Sequence, residues 1–158
     1  MGIAISLQQY LDGRGVPYDV TTHERTLSAA ATARASSISE DNLAKGVLVR
    51  REDGYLLAIV PASCHVELEA LSKWLKQPIV LASETEASTI FGDCELGSVP
   101  PVAGAYDLMA VIDDSLEGSN DIYFEGGDHR TLVHLTGGNF QHLMQDVPHA
   151  HIGARNRG

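Results

Sequence analysis

Two apolar runs dominate the pattern of the chain. Gly46-Val47-Leu48-Val49 and Tyr55-Leu56-Leu57-Ala58-Ile59-Val60 flank the pair Asp53-Gly54. An Asp-Gly pair between apolar runs is a strong β-hairpin signal, because the turns that match strand twist need residues tolerant of positive φ. Both arms are apolar at almost every position, which predicts a hairpin that is central and buried. Upstream, Leu7, Tyr10 and Leu11 have helical spacing, with Ser6 and Gln9 as a capping box and Gly13 and Gly15 closing the helix. Val16, Tyr18 and Val20 alternate as in a strand, Ser28–Ala35 reads as an Ala-rich helix, and Glu40–Leu43 as part of a shorter one.

Downstream, Leu68, Leu71 and Leu75 mark an amphipathic helix that must end before Pro78. Ile79-Val80-Leu81 reads as a short strand, and Ser83 with Glu86 starts a helix that ends at Gly92. From Asp93 to Ala105 the pattern is irregular and rich in Gly and Pro. Strands are predicted over Leu108–Ile112, Ile122–Glu125 and Leu132–Thr136, then a helix near Asn139 carrying Phe140, Leu143 and Met144. The tail from Pro148 reads as frayed and flexible. Interspersed helices, strands and hairpins give an α+β class, with a mixed, largely antiparallel sheet flanked by helices. A single domain over residues 1–158 is expected, since no repeat, low-complexity tract or linker divides the chain.

Composition narrows the function classes. Eleven Lys and Arg stand against twenty-one Asp and Glu, a formal net charge of −10. That balance excludes a general nucleic-acid binder, DNA included, because phosphate contacts need clustered cations. An RNA ligand would have to be met by a local basic patch or held by another protein. No apolar run approaches the roughly 18 residues of a membrane span, and no basic-then-apolar leader opens the chain. With only two cysteines, Cys64 and Cys94, and no Cys-x-x-Cys pair, reduced thiols and a cytoplasmic location are expected.

Three segments are candidates for chemistry. Lys45 stands alone before the first hairpin arm: either a solvated charge at a strand end, or a point charge offered to a phosphate or carbonyl. The loop Asp93-Cys94-Glu95-Leu96-Gly97-Ser98-Val99-Pro100-Pro101-Val102-Ala103-Gly104 is either a plain surface loop or one that aims backbone N–H groups at a developing oxyanion. Glu125-Gly126-Gly127-Asp128-His129 is either a polar Gly-Gly turn or a turn that presents His129 to the same cleft. Other constellations are poorer. There is no Gly-x-Ser-x-Gly elbow. Asp93 and Glu95 flank Cys94 and oppose thiolate formation. His142, His149 and His151 match no zinc spacing, so neither a metal nor another cofactor is expected.

Taken in order, these segments resemble the YbaK/prolyl-tRNA synthetase-associated domain family of aminoacyl-tRNA editing deacylases. The likeness rests on Ala-Lys opening an apolar hairpin strand, Asp-Cys-Glu-x-Gly-x-x-Pro-Pro, and Gly-Asp-His before a strand, and it spans about residues 5 to 146. Gly46 stands where many relatives carry Ser or Thr, and Pro100 where some carry Gly. The resemblance implies hydrolysis of the ester joining a wrong, small amino acid (Ala, Cys, Ser or Pro) to its tRNA. Under it, Lys45 anchors the carbonyl or the phosphate of the terminal adenosine. Gly97 and Pro101 bound the loop that polarises the carbonyl, and His129 orients substrate or water. Ser98, Val99, Pro100, Gly127 and Asp128 shape the substrate pocket, with Asp128 supporting His129. The implied partner is a tRNA acceptor end, with an aminoacyl-tRNA synthetase as a second expected partner. The same fold also admits a catalytically silent tRNA- or protein-binding module, or a hydrolase of another acyl ester.

Overall fold

The computed structural model describes residues 2–156. Met1, Arg157 and Gly158, which belong to the expected domain span, lie outside the described residues. The chain runs α1 (Ile5–Arg14), β1 (Asp19–Thr22), α2 (Ala29–Ala35), β2 (Ala44–Arg51), β3 (Gly54–Pro61), β4 (Cys64–Val66), α3 (Leu68–Leu75), β5 (Val80–Leu81) and α4 (Glu84–Ile90). After the long loop come β6 (Met109–Asp113), β7 (Asp121–Glu125), β8 (Thr131–Thr136), α5 (Gly137–Leu143), β9 (His149–Ala150) and β10 (Gly153–Arg155). Glu40–Asn42 is a single 3-10 turn.

The predicted hairpin is the middle of a five-stranded mixed sheet, in the order β5-β2-β3-β6-β9. β2 and β3 pair antiparallel from Ala44↔Pro61 to Arg51↔Gly54, whereas β6 runs parallel to β3 and β9 parallel to β6. This register makes Glu52 and Asp53 the two loop residues, one position earlier than Asp53-Gly54. Gly54 instead enters the second arm at φ 145°, a conformation that side chains rarely adopt. Leu57, Ala58, Ile59 and Val60 are fully buried, as a strand covered on both faces requires. Leu57 and Ile59 face the larger core, with Phe91, Phe124 and Phe140. Ala58 and Val60 face a smaller one, closed by Leu71 of α3 and by Ile152. A second, antiparallel sheet has the order β1-β8-β7, and β4 pairs with β10. The class is α+β with antiparallel pairings dominant, as the sequence predicts.

Two expectations fail for instructive reasons. Ser6 and Gln9 form no capping box: Ala4 is the N-cap, and the Ser6 N–H donates to Asp93 Oδ2 at 2.8 Å. A carboxylate from the distant loop thus satisfies the helix start and complements its positive end. Ser83 and Glu86 do form their box at the start of α4. From Pro148 to Asn156 the tail is not frayed. It adds β9 and β10, and Ile152 is 1% exposed. Asp113 secures it by accepting the N–H groups of Ile152 at 2.9 Å and Gly153 at 2.7 Å. Among the described residues no helix is long and apolar enough to cross a membrane.

Candidate active site

A cavity of about 370 Å³ opens where the first residues of β2, the end of α4, the long loop and the β7–β8 turn converge. Lys45, Gly46, Gly97, Val99, Glu125 and His129 border it, with Leu27 and Ser28 at the start of α2. The three segments singled out in the sequence therefore meet at one place. A second cavity of about 410 Å³, bordered by Tyr10, Trp74, Leu75 and Met109, meets only the end of the long loop, at Ala103 and Gly104.

Alternation along β2 decides how Lys45 contributes. Ala44 and Leu48 pack into the larger core, and a Cβ on Gly46 would meet Leu57 Cδ1 at 2.9 Å. Val49 packs into the smaller core, so Lys45 leaves the strand on that opposite face. Lys45 is half-buried at the strand's first turn of pairing, opposite Val60. Burial lowers its pKa, and electrostatic interaction with the nearby Cys64 and Glu40 pulls it partly back. Among the described residues it has no ion-pair partner, so its charge is free for a ligand. Gly46 borders the cavity, and the place of its missing side chain is taken by the buried Leu57.

The loop is held from the β7–β8 turn. Glu95 N–H donates to the Gly127 carbonyl at 2.7 Å, and a Cβ on Gly127 would lie 3.3 Å from Cys94 Sγ and 3.2 Å from Ala4 Cβ. His129, at φ 60° and 4% exposed, places Nε2 2.5 Å from the Leu96 carbonyl. A carbonyl only accepts, so Nε2 carries the proton and Nδ1 is left as an acceptor. Gly97 sits at φ 85°, and a Cβ there would be 3.3 Å from His129 Cε1, so only glycine lets the loop close on the ring. Ser98 N–H and Oγ both donate to the Glu95 carbonyl, at 3.1 and 3.0 Å. The N–H groups of Gly97 and Val99 find no acceptor among the described residues.

Several residues expected at the pocket do not border it. Ser98, 1% exposed, closes the loop on itself, and Pro100 and Pro101 are buried behind it. Gly127 is turned toward α1 and Cys94 rather than the cavity. Asp128 does not support His129. Its carboxylate accepts the N–H of Arg130 at 2.9 Å and the N–H and hydroxyl of Thr131 at 2.7 and 2.9 Å. Partial burial works to raise its pKa, but these donors outweigh it and hold the carboxyl below the ordinary range. Cys94 is no nucleophile: burial, with Asp93 beside it, pushes its pKa up to about 11, against a hydrogen bond with Tyr106 that works to lower it. Among the described residues one cluster has metal-ligand proximity, the exposed Asp114, Glu117 and His149, which lies outside the cavity lining.

Sequence reasoning gave Glu125 no role, although it opens the third candidate segment, and missed His23 and Thr32. Thr32 Oγ1 donates to Glu125 Oε2 at 2.6 Å, and His23 Nε2 lies 3.4 Å from Glu125 Oε1. The three meet because β1 and β7 both flank β8: Glu125 pairs with Leu132, and His23 N–H donates to the Arg130 carbonyl, one step beyond Thr22↔Thr131. The available signal was alternation in β7, where Ile122 and Phe124 are buried and Glu125 falls on the other face.

The fold and the site define an α+β domain with a cavity between hairpin, loop and Gly-Gly turn that carries a few polar groups. The family model for the aminoacyl-tRNA editing domain matches residues 23–143, and the chain belongs to that family. Among solved structures, a candidate trans-editing enzyme for prolyl tRNA synthetase superposes with a TM-score of 0.83 at 24% identity, covering 94% of this chain and 95% of that one. A scaffold protein used in epitope backbone grafting by computational design gives 0.84 at 23% identity, with coverage of 96% and 97%. A hypothetical protein gives 0.83 at 20% identity, with coverage of 94% and 99%. At these identities the likeness is one of fold. No curated protein matches the chain.

Proposed function

We propose that this cavity hydrolyses the ester linking a small, wrongly attached amino acid to the 3′ end of a tRNA. The observation that carries the reading is the meeting, around one cavity, of a lysine and a glycine loop whose charge and N–H groups have no partner among the described residues, and a histidine with a fixed tautomer. An aminoacyl ester is already activated, so the site needs positioning and oxyanion stabilisation rather than a strong nucleophile. Lys45, leaving β2 away from the cavity's inner wall, suits the phosphate of the terminal adenosine better than the reacting carbonyl. The N–H groups of Gly97 and Val99 are the donors for the oxyanion. His129 Nδ1 accepts a proton from water or from a ribose hydroxyl, while its Nε2–H holds the loop.

A cavity of about 370 Å³ lies at the small end of ligand sites, which favours a small side chain. Discrimination between neighbours differing by one methylene amounts to about 1–3 kcal/mol, so more than one amino acid is accepted. Arg50 and Arg51 lie at the far end of β2 from Lys45, roughly 16 Å along the strand, and Arg50 is 3.6 Å from Glu86. The basic rim is therefore short, and recognition centres on the acceptor end. The solved relative named for prolyl tRNA synthetase makes a synthetase a reasonable second partner. The test is a deacylation panel of tRNAs charged with Ala, Cys, Ser, Pro and larger amino acids. Hydrolysis confined to small residues is expected, and no hydrolysis of any member would leave a silent binding module.

A further inference from the structure

The cavity holds a carboxylate with acceptor capacity to spare. Glu125, the last residue of β7, borders it, and among the described residues Thr32 alone donates a hydrogen bond to its carboxylate. Thr32 is 1% exposed, and its hydroxyl also lies 2.6 Å from the Thr26 hydroxyl. A hydroxyl has one proton, and a carboxylate is the stronger acceptor. Thr26 therefore donates to Thr32, which donates to Glu125, and the chain of hydroxyls fixes Oε2. Among the described residues Oε1 is buried without a hydrogen-bond partner and faces His23 Nε2, likewise buried and unpartnered, at 3.4 Å, so Oε2 is the oxygen with a lone pair left for a ligand. His23 Nδ1 faces the Glu24 carbonyl at 2.6 Å and so carries its own proton there. The imidazole shields the carboxylate without saturating it.

Taking the proposed deacylase reading as its basis, we infer that Glu125 receives the α-ammonium group of the bound aminoacyl moiety. An aminoacyl ester differs from other acyl esters chiefly in that ammonium, which carries a positive charge and three donors and is protonated near neutral pH. A carboxylate oriented by Thr32 and partly shielded from water is its complement, and charge-assisted bonds of this kind are about twice as strong as neutral ones. The two ends of the cavity then have opposite tasks. Lys45 serves the phosphate side of the substrate, and Glu125 makes the acyl side selective for a free amino group over N-blocked or deaminated esters.

The test uses two stable amides in place of the labile ester: 3′-alanylamino-3′-deoxyadenosine and its propionyl counterpart, which lacks the ammonium. The wild-type protein should bind the alanyl compound at least about tenfold more tightly. Glu125→Gln, which keeps an acceptor for Thr32, should retain its thermal midpoint and reduce the preference to about twofold. Retention of the full preference in Glu125→Gln, or no preference in the wild type, overturns the inference, as does failure to bind either compound. In a parallel assay, alanyl-tRNA and N-acetylalanyl-tRNA are hydrolysed side by side. An equal loss of kcat on both in Glu125→Gln would make Glu125 a group acting on water and overturn the inference as well. A Glu125-dependent preference in binding with no ester hydrolysed at all would sink the deacylase reading and leave the ammonium site standing.

Discussion

Asp113 and Glu125 each end a strand and each carry a carboxylate withdrawn from water, yet their surroundings are opposite. Asp113 is 2% exposed and accepts the N–H groups of Ser115 at 3.1 Å, Ile152 at 2.9 Å and Gly153 at 2.7 Å, together with the Ser115 hydroxyl. Burial works to raise its pKa, but these donors outweigh it and hold the carboxyl below its ordinary range. A Cβ on Gly153 would stand 3.2 Å from Asp113 Cγ, so the backbone is fitted closely around the group. Glu125 has one hydroxyl donor and a histidine at a distance. A saturated carboxylate ties the chain together, whereas an unsaturated one beside a cavity keeps its capacity for a ligand. The same distinction separates Asp128, spent on its own turn, from its neighbour His129, which keeps a free nitrogen.

The largest effect that would break this contrast is on stability. Asp113→Ala strands two buried N–H donors and should cost about 3 kcal/mol, which lowers the thermal midpoint by roughly 10 °C for a domain of this size. Glu125→Gln should stay within about 1 kcal/mol of wild type. Calorimetry giving equal losses for the two would erase the distinction. A smaller effect concerns acid. Asp113 and Asp128 have folded-state pKa values below the ordinary carboxylate value, so their contribution to stability is fully present above that value and is lost as pH falls through the depressed one. Urea midpoints should therefore decline as pH drops below about 4, and Asp113→Asn should flatten the decline. A slope unchanged by Asp113→Asn would show that the carboxylate is not held as described.

Selectivity should move less. Gly46→Ala brings a Cβ to 2.9 Å from Leu57 Cδ1 and 3.2 Å from its Cγ, so the buried Leu57 or the strand beside the cavity must shift. Alanyl-tRNA should be affected little, and the preference for it over the next larger accepted amino acid should rise by up to about tenfold. An unchanged ratio would move the amino-acid pocket away from β2. The smallest expected effect is none. His129 Nε2 is committed to the Leu96 carbonyl, and Lys45 and Glu125 do not make a zinc-type set, so exhaustive chelation should leave hydrolysis intact. Loss on chelation with rescue by zinc would require another chemistry.

What the sequence made legible follows the range of the interactions. The hairpin, α3 and the capping box of α4 are local, and their apolar periods and caps are written in consecutive residues. The first capping box and the tail were misread because their partners, Asp93 and Asp113, lie far away in sequence. In the site, Lys45, Gly97, Val99 and His129 stood out by residue type and motif, and the fold gathers them round one cavity. Pro100, Pro101, Ser98 and Asp128 belong to the same motifs but are used to hold the loop and the turn. Glu125, His23 and Thr32 come from β7, the end of β1 and α2, and only the β1-β8-β7 order brings them together.

The central claim is that the cavity beside Lys45, and not the one beside Met109, breaks an aminoacyl ester. It is tested most directly by single-turnover deacylation of the best mischarged tRNA, comparing wild type, Lys45→Ala and Met109→Ala, each shown to be folded. The account predicts a rate lowered by about 100-fold in Lys45→Ala, the cost of a misplaced substrate, and unchanged in Met109→Ala. A folded Lys45→Ala protein that works at the wild-type rate would contradict it.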